Sequence, residues 1–261
     1  MSLETTIRNG SLTKVRLTPS IGHRGESELR AAFHLSPGYM DLIHQFQETR
    51  IAAIGHAQTP VTLPPSLKLV LHLLPVSSFI APRDLAIEKI AGHSQLMRPI
   101  CQGLWNERFN ADGFLTCLGD GRYNGIAYTQ LFRNGIIEAV DSSPRLTDGS
   151  LLLPIYYERA LVNALPGQLA VLTLLEIDPP LVLFLTVVGA NGYRIATMVS
   201  ITGDDRENRI ESDVLNTPEI ILDNYDRPAA EIFKPAFDSI WKECGFPHSL
   251  NYNAAGEWRV R

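Results

Sequence analysis

Asn134-Gly135, set between the apolar residues Phe132 and Ile136, constrains the fold more than any other feature of the chain. Both central residues of a type I′ turn need positive φ, and Asn and Gly tolerate it best. The pair therefore predicts a hairpin joining a strand over about Ile126–Arg133 to one over Ile136–Val140. Another short strand, about Gly113–Leu118, precedes them, and Asn191-Gly192 offers a second hairpin turn from the apolar run Leu181–Val188 into Tyr193–Val199. Hairpins outnumber strand-helix-strand units. The expected fold class is α+β, with a mostly antiparallel sheet built from hairpins and about three helices packed on it.

The first helix is expected over about Pro37–Ala57, with Ser36 as N-cap, Pro37 in the first helical position and Leu35 stapled to Met40. Tyr39, Ile43, Phe46 and Ile54 would form its buried face. Pro60, Pro64 and Pro65 then break the chain before Lys68–Leu74, a strand apolar on both faces and hence central. A second helix, Ile155–Ile177, carries Leu161, Leu165, Leu169 and Leu172 at helical spacing, with Pro166 kinking or splitting it. A last helix, about Pro228–Glu243, would bury Phe233, Phe237 and Ile240 or Trp241, and Gly245 and Pro247 supply its stop. Short strands are expected at Glu219–Leu222 and, at a sheet edge, Leu12–Leu17. Residues 92–111 show neither period, which for a connection of this length points to a mobile or functional segment.

At 261 residues the chain can hold one large domain or two small ones. A net charge of −5 argues against the broad basic footprint of non-specific nucleic-acid binding. Cys101, Cys117 and Cys244 are widely spaced without a C-x-x-C pair, which fits reduced thiols in a cytoplasmic protein rather than a disulfide framework or a zinc site. No apolar run reaches the length of a membrane span, and Met1–Gly10 lacks the order of a signal peptide.

In the expected hairpin register Leu131 faces Glu138, which puts Arg133 diagonal to Glu138 on one face. The bland reading is a rim ion pair. The functional one is a recognition arginine, held by Glu138 and backed by Tyr128, whose planar fork reads carboxylate or phosphate. In the irregular segment Arg98, Trp105, Asn106, Arg108 and Asn110 interleave cations, amides and an aromatic ring. That composition suits a ligand-stacking surface, and equally a loop pinned by a buried tryptophan.

Other patterns carry less. Gly119, Gly121 and Gly125 lack the Lys-Ser/Thr ending of a phosphate loop. The acidic residues over Asp204–Asp213 lack the alternation and central glycine of a calcium loop, and Arg206 and Arg209 sit among them. Glu219-Ile220-Ile221 lacks the lysine of a Glu-x-Lys nuclease motif. His72, in an apolar strand, reads as a hydrogen-bonded core residue. His44 and His56 lie on the first helix, His56 near its C-terminus, where the helix dipole favours a cation. No G-x-S-x-G elbow and no signature around a cysteine single out a nucleophile. No cofactor or metal is implied.

Five segments carry a resemblance: ELRAAF at 28–33, LVLHLLPVSSF at 69–79, NADGFLT at 110–116, YTQLFRNGIIEAVD at 128–141 and KPAFDSIWKECGFPHSLNY at 234–252. Together, from about residue 26 to the end, they resemble the C-terminal region of bacterial proteins that carry an N-terminal Schlafen-like, AlbA-type domain, a module associated with ATP or nucleic-acid binding. That domain lies upstream in such proteins, so the resemblance implies that its activity falls mostly off this chain. Residues 1–25 then read as an arm or a remnant of the upstream domain, and 26–261 as a single α+β domain. The function implied is an accessory binding or sensing domain that partners a nucleic-acid-directed effector in bacterial defence or stress response, the partner being a protein that carries the AlbA-type domain. Two alternatives stay open: a hydrolase or RNase assembled from dispersed residues such as His72, Asp112 and Glu138, and an oligomerisation module.

Overall fold

The computed structural model describes residues 37–80, 85–101, 103–120, 124–197 and 209–260. All lie in the second of the two compact units into which the chain divides, Met1–His34 and Leu35–Arg261. The expected strand at Leu12–Leu17, the Ser36 cap, the Leu35 staple, Gly121 and the acidic residues before Arg209 lie outside the described residues.

The centre is β1 (Lys68–Pro75), buried beyond its first residue and paired antiparallel on one side with β5 (Ile137–Asp141) and on the other with β8 (Leu181–Val188). From β5 the sheet continues antiparallel through β4 (Gly125–Phe132), β3 (Gly113–Gly119) and β2 (Asn106–Phe109), the last strand on that side among the described residues. The far side of β8 is shared by two short strands, β10 (Val214–Asn216) and β11 (Ile220–Leu222), giving eight strands in all. A small second sheet joins β6 (Thr147–Asp148), β7 (Leu151–Leu152) and β9 (Arg194–Ile195). The α+β class, with its mostly antiparallel sheet, holds.

One face of the large sheet carries α1 (Pro37–Gly55). The other carries a 3₁₀ segment (Ile87–Met97), α3 (Pro154–Leu174) and α4 (Ala229–Glu243), whose leucines and phenylalanines pack with the inward residues of β1, β5 and β8 as the main core. A four-residue turn of helix, α2 (Ser77–Ile80), follows β1. The long helix α3 runs on through Pro166. In α1 the buried residues are Met40, Ile43, Gln47, Ile51 and Ile54, with the expected Tyr39 and Phe46 only half-buried.

Three expectations need correction. The turn at Asn134-Gly135 is not type I′, because only Gly135 has positive φ, at +88°. The loop has three residues, Arg133 to Gly135, closed by the Phe132 N–H donating to Ile136 O at 2.8 Å, the arrangement of a turn followed by a left-handed glycine. Packing also excludes a side chain at this position, since a Cβ on Gly135 would meet Ile177 Cδ1 at 2.4 Å. The extra loop residue shifts the register by one, so Glu138 faces Gln130 and Leu131 faces Ile137. The described part of the expected strand Tyr193–Val199, residues 193–197, forms no hairpin with β8, whose two edges are filled by β1 and by β10 with β11; Arg194–Ile195 instead pairs parallel with β7, and residues 198 and 199 lie outside the described residues. Residues 92–111 are not structureless. They hold the end of the 3₁₀ segment, which buries Ile87, Ile90 and Met97, and the edge strand β2, whose exposed residues leave no apolar alternation to read.

Candidate functional site

On the α1 face, cross-strand pairing lines up one row across five strands: Leu115, Gln130, Glu138, His72 and Phe184. Glu138 sits mid-row and is fully buried. A carboxylate taken out of water needs a counter-charge and filled lone pairs. Arg50, one turn before the end of α1, supplies a fork, with Nε donating to Oε2 and Nη2 to Oε1, both at 2.8 Å. The Tyr128 hydroxyl donates to Oε1 at 2.8 Å, and His72 Nε2 lies 3.0 Å from Oε2. His72 Nδ1 is buried without a partner, which assigns the ring hydrogen to Nε2 and leaves the cheaper orphan, a lone pair, on Nδ1.

Burial opposes the charge on Glu138, yet the hydrogen bonds from Arg50 and His72 outweigh it and hold the carboxyl at about 2. The bond to Glu138 correspondingly holds Arg50 above its ordinary value against desolvation. Burial, followed by the nearby carboxylate, pushes the Tyr128 hydroxyl well up. Arg50 also lies over the Phe132 ring, 5.6 Å from its centroid, and Phe46 sets its edge against His72. The cluster separates two apolar patches under α1, one around Ile51, Val70 and Val140, the other around Met40, Leu74 and Phe184. Further polar contacts pin the same face of α1: His44 with Glu219 at 2.6 Å, and Gln47 Nε2 donating to Thr186 Oγ1 at 3.2 Å.

Of the residues singled out from the sequence, Tyr128, Glu138 and His72 come together here, and the others do not join them. Arg133 forms no pair with Glu138. It is exposed, because the register shift turns Glu138 inward, and its Nε donates to Ala111 O at 3.0 Å. Asn110 is tied to Gln130 Oε1 at 2.7 Å and caps its own turn through Gly113 N. Arg98 reaches Asn163 O on α3, across the sheet from Glu138. Trp105 is half-buried just before β2. His72 and Glu138 of the dispersed catalytic set touch, but both are sealed from solvent, and Asp112 sits on an exposed turn, where its carbonyl accepts the Arg133 N–H. Arg50 escaped notice although the sequence carried a signal for it, a cation on the inward stripe Ile43, Gln47, Arg50, Ile54.

All three cysteines are buried thiols, none of them in a disulfide. Burial pushes Cys101 up to about 12 and Cys244 to about 11, away from nucleophilic chemistry. Among the described residues no group of three or more His, Cys, Asp or Glu side chains is placed to hold a metal, and no helix is long and apolar enough to cross a membrane. Compared with known proteins, the chain matches no family model, no curated protein and no solved structure.

Proposed function

We propose that this chain is an accessory binding domain that docks a protein partner, an effector carrying the AlbA-type domain, along the edge strand β2. The observation that carries the reading is the pairing of a terminal strand with unburied apolar side chains: β2 is the last strand on its side of the sheet among the described residues, Leu104 just before it is 94% exposed, and Phe109 at its end is 45% exposed. An edge strand offers unpaired backbone donors and acceptors, and apolar side chains beside it anchor an added strand. Trp105 and Arg133 border the same edge and are the candidates for side-chain contacts. A buried, fully engaged Glu138 speaks against the dispersed catalytic set of His72, Asp112 and Glu138, since a carboxylate locked by Arg50 and closed to water has no route to a substrate.

Mixing the chain with an AlbA-type domain of the family and titrating by calorimetry tests this. Binding that weakens at least tenfold in Leu104→Asp with Phe109→Asp is expected, while absent binding or an unchanged affinity would overturn it. Screening the purified chain against nucleotides, RNA and single-stranded DNA, with and without divalent metal, tests the rival hydrolase reading, which metal-dependent or metal-free turnover would establish. Light scattering alongside tests the oligomerisation reading.

A further inference from the structure

Glu158, in the second turn of α3, is a second fully buried carboxylate, and its environment is the reverse of Glu138's. Its partners are neutral: Trp241 Nε1 of α4 donates at 2.7 Å, the Ser249 hydroxyl lies 3.0 and 3.2 Å from its two oxygens, and Asn251 Nδ2 donates at 2.9 Å. No cation pairs with it among the described residues. Ser249 and Asn251 belong to the segment 246–260, so the chain that covers this carboxyl is also the chain bonded to it. The same segment is fastened to α4 by Ser249 N–H donating to Asp238 Oδ1 at 2.9 Å and the Tyr252 hydroxyl donating to Ala230 O at 2.6 Å.

The other titratable groups around the site do not supply the missing charge. Tyr157 precedes Glu158 on α3, and its hydroxyl is buried without a hydrogen-bond partner. Asp238 of α4 is matched by Lys234 at 2.6 Å, Cys244 at the end of α4 is buried, and Tyr252 is spent on Ala230. His248 is exposed. Burial, only partly offset by the hydrogen bonds from Asn251, Trp241 and Ser249, pushes the Glu158 carboxyl from its usual 4.5 up to about 7.

We propose that segment 246–260 is a proton-sensitive latch: with Glu158 protonated it stays docked on α3 and α4, and ionisation of that carboxyl loosens it while the eight-stranded sheet remains folded. Protonated, the carboxyl still accepts from Trp241 Nε1 and Asn251 Nδ2, and its hydroxyl can donate to Ser249 Oγ. Ionised, it gains most by admitting water, and Ser249 and Asn251 stand in the way. A carboxyl whose docked value lies above its free value favours docking fully below pH 4.5 and loses that contribution as pH rises through about 7. Local opening should therefore increase between those limits by about two orders of magnitude and level off above them.

Hydrogen exchange at pH 5 and pH 8, corrected for intrinsic rates, tests the latch. Amides of 246–260 are expected to lose about 100-fold in protection at pH 8 while β1 and β8 change far less, and Glu158→Gln should remove the difference. Equal protection of the segment at both pH values, or a pH dependence that survives in Glu158→Gln, would overturn the proposal. Should Glu158→Gln fold poorly, carboxyl-carbon NMR of the unaltered protein decides directly: a midpoint for Glu158 close to 7 is expected, and one close to 4.5 would sink the latch.

Discussion

Two buried glutamates show how the same residue type takes opposite roles from its neighbours. Glu138 meets a guanidinium, an imidazole and a phenol, and stays charged; Glu158 meets an indole, a hydroxyl and an amide, and is pushed toward neutrality. Removing one partner of a buried pair strands the other, so Arg50→Ala should destabilise the fold by about 3–5 kcal/mol in a urea titration. Arg133→Ala, which removes only exposed bonds to backbone carbonyls, should change it by no more than about 0.5 kcal/mol. Equal effects of the two would contradict the assignment of Glu138 to Arg50. The sequence showed Glu138 and Tyr128 as notable but pointed to the wrong arginine. The partner depended on the register, which moves by one residue because the loop is a three-residue turn ending in left-handed Gly135 and not the two-residue type I′ turn that Asn-Gly favours.

The three long helices end alike, each with a left-handed residue and paired backbone bonds reaching back into the last turn. After α4 that residue is Gly245, with φ +80°, and the sequence announced the stop. After α1 it is Ala57, with φ +58°, and after α3 it is Glu176, with φ +56°. The Gln58 N–H donates to Ala53 O at 2.8 Å and the Ile177 N–H to Leu172 O at 2.9 Å, closing both ends. A side chain in this conformation is strained, so Ala57→Gly and Glu176→Gly should each raise stability by about 0.5–1 kcal/mol, read from the denaturation midpoint. Glu176 also faces Lys89, but that ion pair spans 3.8 Å between exposed groups and its removal costs little. Elements with long apolar periods, β1, β8 and the helices, were legible. The three-residue spacing of Ile87 and Ile90 in the 3₁₀ segment is too short a period to stand out in the sequence, and two-residue strands such as β9 exist only because a neighbour offers them an edge.

For the molecule as a whole, the two glutamates set opposing limits on stability with pH. Glu138 has a depressed folded value, so its contribution is present above pH 4.5 and is lost as pH falls toward about 2. Glu158 has a raised one, so its contribution is lost as pH rises from 4.5 through about 7, and burial raises Asp141 in the same direction. Thermal unfolding midpoints should therefore peak between roughly pH 4 and 5, below the usual neutral optimum, and a midpoint still climbing from pH 5 to pH 8 would contradict this.

At the same scale, the carboxylate sealed beneath α1 contrasts with the exposed margin at β2. The resemblance, not the geometry, supplied the partner. The most direct measurement is a hydrogen-exchange footprint of the AlbA-type domain bound to the chain. New protection confined to the amides of Asn106–Phe109 and the flanking Leu104 and Trp105 is the expected result, whereas a footprint on α1, or none on β2 in a formed complex, would contradict docking along this edge.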